Sequence, residues 1–482
     1  MKLIQIVDGY RKGDGISNVA AAFDEFLKKA HYETFIYSRQ LELEDLESDL
    51  FVGDTIVLYH FARLMDPLIK NLKCNKVLIF HNITEPELLA GTDEEERMRC
   101  AIGLYDAAKT AGYFDLSVAF SEYSRKCLLS LGWQAENIFV LPISVRLDHF
   151  SMEPSKEILK KYKGDSVNIL FTGRIWPNKK QEDIIAAFAA YKELYHKNAR
   201  LLLVGSISKG NYYPSLCAYA EKLGVAGDII FSGHVTFEDY LAYYHVADMY
   251  LCMSEHEGFC IPLVEAMYFE VPIIAYASTA VPDTLAGCGI LLDSKDPETV
   301  AKAINEIMVN RDYRKAVVDR QNIRLQQLMP EVLEERYIQL LKEIVNRLSV
   351  KDSVRVIVKD DKYRFSLVND LFGQIDRLAR CSGQCVIYGA GAAGKKLYLE
   401  LKREDPEAMV VLCDSYKGGE YDSGLNCNIV SNKEAVESYR ENTFIVSIQD
   451  KRAVLDAVIF LLEQGIGKKQ ILLYDKMINW IM

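Results

Sequence analysis

Short apolar runs, each trailed by a helix-period segment, recur along most of this chain and constrain its fold more than any other feature. In the first third they fall at residues 3–7, 34–37, 55–59, 76–80 and 116–119. A second series falls at 168–172, 201–205, 229–235, 249–253 and 271–276. Runs this short are strand-sized, and strands alternating with helices require parallel, doubly wound sheets. In such sheets functional groups collect at the carboxyl ends of the strands. At 482 residues the chain is too long for one core, and length suggests about three domains.

Composition narrows the class. Half the residues are hydrophobic and 26% are charged, ordinary for a globular protein. The net charge of −11, from 57 basic and 68 acidic residues, argues against sequence-independent nucleic-acid binding. Eleven cysteines are scattered without a C-x-x-C pair, which points to buried thiols in a reducing compartment and not to disulfides or zinc. No apolar run reaches the roughly 18 residues of a membrane span, and residues 1–7 read as a first strand and not as a signal peptide. The expectation is a cytoplasmic protein.

The densest chemistry lies at 254–267, Ser-Glu-His-Glu-Gly-Phe-Cys-Ile-Pro-Leu-Val-Glu-Ala-Met, directly after the apolar run 249–253. Pro262 suits a helix start, and Leu263, Ala266 and Met267 supply a helical apolar face. Strand, glycine turn and helix together leave the amides of Gly258, Phe259 and Cys260 to meet an anion. Glu257 on the turn and Glu265 in the helix flank that anion site, and carboxylates accept hydrogen bonds from sugar hydroxyls. A second motif follows the run 168–172: Gly173-Arg174, then Lys179 and Lys180, ahead of the helical stretch 183–191. A guanidinium and an ammonium on one loop can stabilise the charge that develops on a departing diphosphate without a metal.

These residues resemble retaining glycosyltransferases of family 4 with the GT-B fold. The match rests on the E-x7-E pair Glu257 and Glu265 with Gly-Phe-x-x-Pro inside it, and on Gly-Arg-x4-Lys. The resemblance implies that Glu257 holds donor-sugar hydroxyls and that Glu265 holds the nucleotide ribose. It implies a diphosphate role for Arg174 and Lys179, with Lys180 a neighbour that could substitute. It also assigns the glycine loop at 8–18, with Gly15 its best candidate, to the donor phosphates and acceptor. His81, after the run 76–80, matches the family histidine that contacts the donor sugar, and His60 is the second choice. Val235, in a Phe-x-Gly-x-Val segment, would read the nucleobase edge through its backbone. Residues 141–145, Leu-Pro-Ile-Ser-Val, resemble the strand that ends the first domain, and 146–164 read as a hinge. Glu270 stands where the family usually has glycine.

Beyond 350 the family offers no counterpart. Residues 350–362 are charged, and 365–379 read as an amphipathic helix. A strand, Gly389-x-Gly391-x-x-Gly394 and a helix follow, with Asp414 twenty residues after Gly394. This meets the context test for a dinucleotide fold and makes Gly389, Gly391, Gly394 and Asp414 a candidate second nucleotide site, for a dinucleotide or nucleotide ligand. The unit looks too short to bind a dinucleotide and also turn over a substrate. A structural or regulatory role is favoured, with nucleotide-type binding the second reading.

The expected fold is α/β: a GT-B architecture of two doubly wound Rossmann-like domains facing a cleft, 1–150 on the acceptor side and 151–349 on the nucleotide-sugar side. The final helix crosses back, and a smaller Rossmann-like domain occupies 350–482. The expected function is a metal-independent retaining hexosyltransferase that moves sugar from a UDP- or GDP-sugar to a glycan or lipid-linked acceptor. No cofactor is required, and no Asp-x-Asp follows an apolar run. A lipid-linked acceptor would bring peripheral contact with the inner face of the membrane. Two alternatives stand: a nucleotide-sugar-modifying enzyme of the same fold, epimerase-like, or a non-catalytic glycosyltransferase-like partner subunit.

Overall fold

A computed structural model of the chain describes residues 2–10, 15–38, 55–63, 65, 69, 72, 74–208, 210–350, 385–404, 409–448, 457–458, 460–461, 463–467 and 470–473. The acidic segment 41–50 and the helix expected at 365–379 lie outside these residues.

The first series of apolar runs, joined by residues 138–140 in place of the strand expected at 141–145, forms a six-stranded sheet. Its strands are β1 (Lys2–Val7), β2 (Glu33–Ser38), β3 (Thr55–Phe61), β4 (Asn75–Phe80), β5 (Leu116–Ala119) and β6 (Ile138–Val140). They lie in the order β2-β1-β3-β4-β5-β6, with every pairing parallel. All of β3 is buried, as expected when helices cover both faces of a parallel sheet. The second series forms β7 (Val167–Thr172), β8 (Ala199–Val204), β9 (Ile229–Gly233), β10 (Met249–Cys252), β11 (Ile273–Tyr276) and β12 (Ile290–Leu292). Their order is β12-β11-β10-β7-β8-β9, again parallel. The chain moves outward from β7 to β9, then returns to the other side of β7 with β10. Strand order therefore reverses between β7 and β10, where an open parallel sheet leaves a crevice at its carboxyl edge.

Contacts divide the chain into two compact units. The first holds residues 1–62, 72–93 and 112–356, and so contains both of these sheets. Within it, the helix Pro330–Val350 packs on the helix Gly15–Lys29 through Tyr337, whose ring meets Phe23 and Phe26. The Tyr337 hydroxyl donates to the Pro142 carbonyl at 2.8 Å, tying this helix to the end of the first sheet. Glu270 holds φ +54°, a left-handed conformation that glycine takes without steric cost. That accounts for the glycine of the resembled family at this turn.

The second unit holds 63–71, 94–111 and 357–482. Its sheet comprises β13 (Cys385–Tyr388), β14 (Val410–Asp414), β15 (Tyr421–Asp422), β16 (Cys427–Ser431), β17 (Thr443–Val446) and β18 (Ile471–Leu473). Their order is β15-β16-β14-β13-β17-β18, parallel except for the β15–β16 hairpin. Ile102, from the excursion at 94–111, joins the core built by these strands. In the other excursion Met65 donates its amide to Asp106 Oδ2 at 2.9 Å.

Candidate functional site

The reversal between β7 and β10 brings the two motifs of the second sheet together. Arg174 follows β7 and is exposed, its guanidinium 4.3 Å from the centre of the Trp176 ring, a cation–π stack that limits its rotamers. Gln181 holds the Arg174 carbonyl at 3.1 Å. Lys179 closes a single 3-10 turn, Pro177–Lys179, and its ammonium donates to Glu257 Oε1 at 2.7 Å. The side chains of Lys179 and Glu257 are 22% and 10% exposed. Burial works against the Lys179 charge, but the Glu257 carboxylate together with the neighbouring Cys260 and Cys252 holds the amine above its usual range. Lys180 turns elsewhere, 3.3 Å from Glu255 and 3.5 Å from Glu182. Asn178 staples the two loops by donating to the His256 carbonyl at 2.8 Å and accepting from the Glu255 amide at 2.8 Å.

Beyond Glu257 the turn enters the helix Ile261–Tyr268 through Cys260, held at φ +69°. Among the described residues the amides of Gly258, Phe259 and Cys260 have no hydrogen-bond partner. The Gly258 carbonyl accepts from Ser121 Oγ at 2.8 Å and Ser124 Oγ at 3.3 Å, both from the first-sheet side. A Cβ on Gly258 would lie 3.0 Å from Asn82 Cβ and 3.1 Å from the His81 carbonyl, so only glycine fits without displacing that loop. One turn along, Glu265 Oε2 accepts from the hydroxyls of Tyr240 at 2.5 Å and Tyr244 at 2.8 Å. Burial pushes the Glu265 carboxyl up, and the two hydroxyls counter it. Val235, past β9, is half-buried against the core.

On the first sheet His81 follows β4, and its Nε2 lies 2.9 Å from His60 Nδ1. His60 Nε2 is in turn 2.9 Å from Gln5 Oε1. Strand period explains the alignment. Gln5 pairs with Leu58 and His60 with Ile79, so all three polar side chains share one face and step up toward the carboxyl edge. Burial lowers His81 to about 3, and burial plus the neighbouring imidazole takes His60 well below its usual range, so both rings are neutral at pH 7. Gly15 is exposed at the start of its helix, with open space where a Cβ would stand.

Three groups were not singled out from the residue pattern. Tyr240 and Tyr244 are one helical turn apart and reach Glu265 from another element, a spacing that could have been read as one face. His256 is 3% exposed with both ring nitrogens unpartnered, and burial lowers it to about 4. Donor atoms of Cys252, Glu257 and Cys260 lie within 4.8 Å of one another, a composition able to hold a metal. A cation there would have to displace the Lys179 ammonium from Glu257.

Residues 152–322 match the family model described as Glycosyl transferases group 1. The chain thus carries a group 1 glycosyltransferase domain. That stretch contains Arg174, Lys179, Val235, Glu257 and Glu265. The chain is 28% identical over 210 residues to a Mycobacterium tuberculosis protein named GDP-mannose-dependent alpha-(1-6)-phosphatidylinositol monomannoside mannosyltransferase, covering 41% of this chain and 54% of that one. It is 23% identical over 209 residues to O-antigen chain mannosyltransferase B of Escherichia coli, covering 42% and 54%. The chain therefore spans about half the length of the curated relatives it matches. Among solved structures it is similar to the Anabaena protein HepE in complex with UDP and glucose, with TM-score 0.55 and 17% identity over 71% of this chain and all of that one. At that identity the likeness establishes the fold, which is the GT-B architecture with a third sheet added.

Proposed function

We propose that the chain is a retaining, metal-independent glycosyltransferase that moves a hexose from a nucleoside-diphosphate sugar to a glycan or lipid-linked acceptor. The observation that carries this reading is the Lys179–Glu257 ion pair at the sheet reversal, beside three unpartnered amides. Residues 1–150, apart from 63–71 and 94–111, take the acceptor side, 151–349 the donor side, and 350–482 are accessory. The names of the curated relatives make GDP-mannose the first donor to try, with UDP-sugars next.

On donor entry the diphosphate takes Lys179 from Glu257 and meets Arg174 and the Gly258, Phe259 and Cys260 amides. Glu257, relieved of its cation, accepts hydrogen bonds from sugar hydroxyls, and the neutral His81 orients the sugar by hydrogen bonding and not by charge. Glu265 accepts from the ribose, and backbone near Val235 meets the base, while Gly15, at the start of its helix, faces the phosphates. The acceptor oxygen then bonds to the anomeric carbon on the face the diphosphate leaves. The carbon–oxygen bond to the diphosphate breaks with its electron pair, and the acceptor proton passes to that departing oxygen. Fixed positive groups aimed at the leaving oxygens lower this barrier. Among the described residues no helix is long and apolar enough to cross a membrane. With a lipid-linked acceptor the enzyme works at the cytoplasmic face.

Calorimetric titration with GDP, UDP and ADP, first without metal and then with magnesium, tests the site. One nucleotide binding at micromolar Kd without metal, and lost in Arg174→Ala, is the expected result. Metal-dependent binding only, or binding indifferent to Arg174, would sink the reading. Nucleotide release that requires acceptor separates transfer from an epimerase-like reaction and from a non-catalytic subunit.

A further inference from the structure

The third sheet builds a separate set of groups at its own carboxyl edge. From β13 the chain moves outward through β14 to β16, then returns to β17 on the far side, so order reverses between β13 and β17. A cavity of about 350 Å³ opens there, lined by Tyr388, Gly389, Asp414, Tyr416, Asn432 and Phe460 among others. That volume sits near the lower end of ligand pockets, about 300–1,000 Å³, and suits one nucleotide better than two joined ones.

Three features of the cavity point to the same ligand, and a fourth sets aside the ribose contact expected of Asp414. First, β13 turns through Gly389 into the helix Ala392–Glu404, whose leading amides have no intrahelical partner. A Cβ on Gly394 would stand 1.9 Å from the Gly389 carbonyl, so the first helical turn lies flush on the loop, whereas a Cβ on Gly391 would meet nothing within 4 Å. Second, Asn432 is spent at one end only. Its Nδ2 donates to the Tyr388 hydroxyl and to Ser415 Oγ, while among the described residues its buried Oδ1 has no partner. A buried acceptor left empty is costly, and a turn of the amide toward the cavity would let a ligand N–H satisfy it. Third, Tyr416 is 95% exposed at the cavity wall, a bare ring available for stacking. Fourth, Asp414 is occupied. Its Oδ2 accepts from the Ala390 amide at 2.8 Å, and its Oδ1 from the amides of Tyr416 at 2.9 Å and Lys417 at 3.2 Å. The acid that a dinucleotide fold turns toward a ribose here braces its own backbone.

We propose that this cavity is a mononucleotide site of the C-terminal unit, with phosphate at the helix start by Gly391, base N–H on Asn432 Oδ1 and base face on Tyr416. The test is calorimetry on the full chain with AMP, GMP, UMP and CMP, and with NAD⁺ and inorganic phosphate as comparators. The background is Arg174→Ala, which disables the site of the preceding section. One mononucleotide is expected to bind saturably to that variant. Adding Gly391→Asp, which places a carboxylate in open space by the phosphate, or Asn432→Ala should each weaken it by about tenfold or more. Unchanged thermal unfolding in Gly391→Asp separates lost binding from lost folding. The proposal is overturned if no mononucleotide binds the Arg174→Ala protein at millimolar concentration. It also falls if NAD⁺ binds more tightly than every mononucleotide, or if both added substitutions leave affinity unchanged. Failure of sugar transfer in the wild-type chain is a different result and leaves this one standing.

Discussion

Lys179→Ala removes one ammonium and disturbs two things at once. In the folded protein it strands Glu257, whose side chain is only 10% exposed, beside Thr279, which accepts the Glu257 backbone amide at 2.9 Å and offers the carboxylate no charge. Breaking a fully buried pair costs about 3–5 kcal/mol, and partial exposure of both partners brings the expectation to about 2–3 kcal/mol. Under the proposed function it also removes a donor from the departing diphosphate in the transition state, worth about 10²–10³ in turnover. The two losses separate in Lys179→Ala/Glu257→Gln. The double variant has no stranded charge and should regain about 1–2 kcal/mol of stability relative to Lys179→Ala, while turnover stays at or below that of the single variant. Denaturant unfolding gives the first quantity, and nucleotide release with saturating donor and acceptor gives the second. Wild-type turnover in Lys179→Ala would refute the assigned role. A double variant no more stable than the single one would refute the electrostatic account of the pair.

Three further outcomes follow from the same geometry. Gly258→Ala should lower stability by about 1–3 kcal/mol and reduce donor affinity, because its methyl must push Asn82 and the His81 carbonyl aside; an unchanged thermal midpoint would show the contact to be loose. His256 binds its proton near pH 4 when folded against about 6.5 when unfolded, so the unfolded chain takes up more protons on acidification. Stability is then present above pH 6.5 and falls by about 2 kcal/mol between pH 7 and 5, a slope that His256→Phe should flatten in unfolding measured across pH. Removing both hydroxyls, Tyr240→Phe with Tyr244→Phe, leaves burial unopposed at Glu265 and should weaken nucleotide binding by about tenfold. Unaltered affinity in that titration would take Glu265 out of the ribose contact.

Most strands were legible because their signal is local. Four or five apolar residues between turn signals, as at 76–80 or 249–253, can be read without knowing what packs on them. That Lys179 and Glu257 fall near one sheet edge was legible for a related reason, since each follows a strand of the second sheet and parallel topology gathers such positions there. What escaped depends on partners distant in the chain. Residues 63–71 and 94–111 interrupt the first unit yet belong to the second, and no local pattern marks them. The Gln5–His60–His81 series needs the strand order β1-β3-β4 before three polar residues in apolar runs become neighbours. Asp414 stood at the right distance from its glycines, but spacing says nothing about which amides its oxygens meet.

The two carboxylates of the signature lie in one short stretch yet are held by opposite means, and this orders their use. Glu265 rests on two neutral phenols, so its remaining acceptor capacity is open to a ribose hydroxyl whether or not a phosphate is present. Glu257 rests on a cation and becomes available to a sugar only when something else claims Lys179. A diphosphate is the group that can, because it brings more negative charge to the ammonium than one carboxylate does and finds the Gly258, Phe259 and Cys260 amides waiting. A free sugar offers Glu257 hydroxyls that must compete with a charge-assisted bond already made. If the proposed function holds, the site distinguishes an activated sugar from a free one through the order in which its own charges are released.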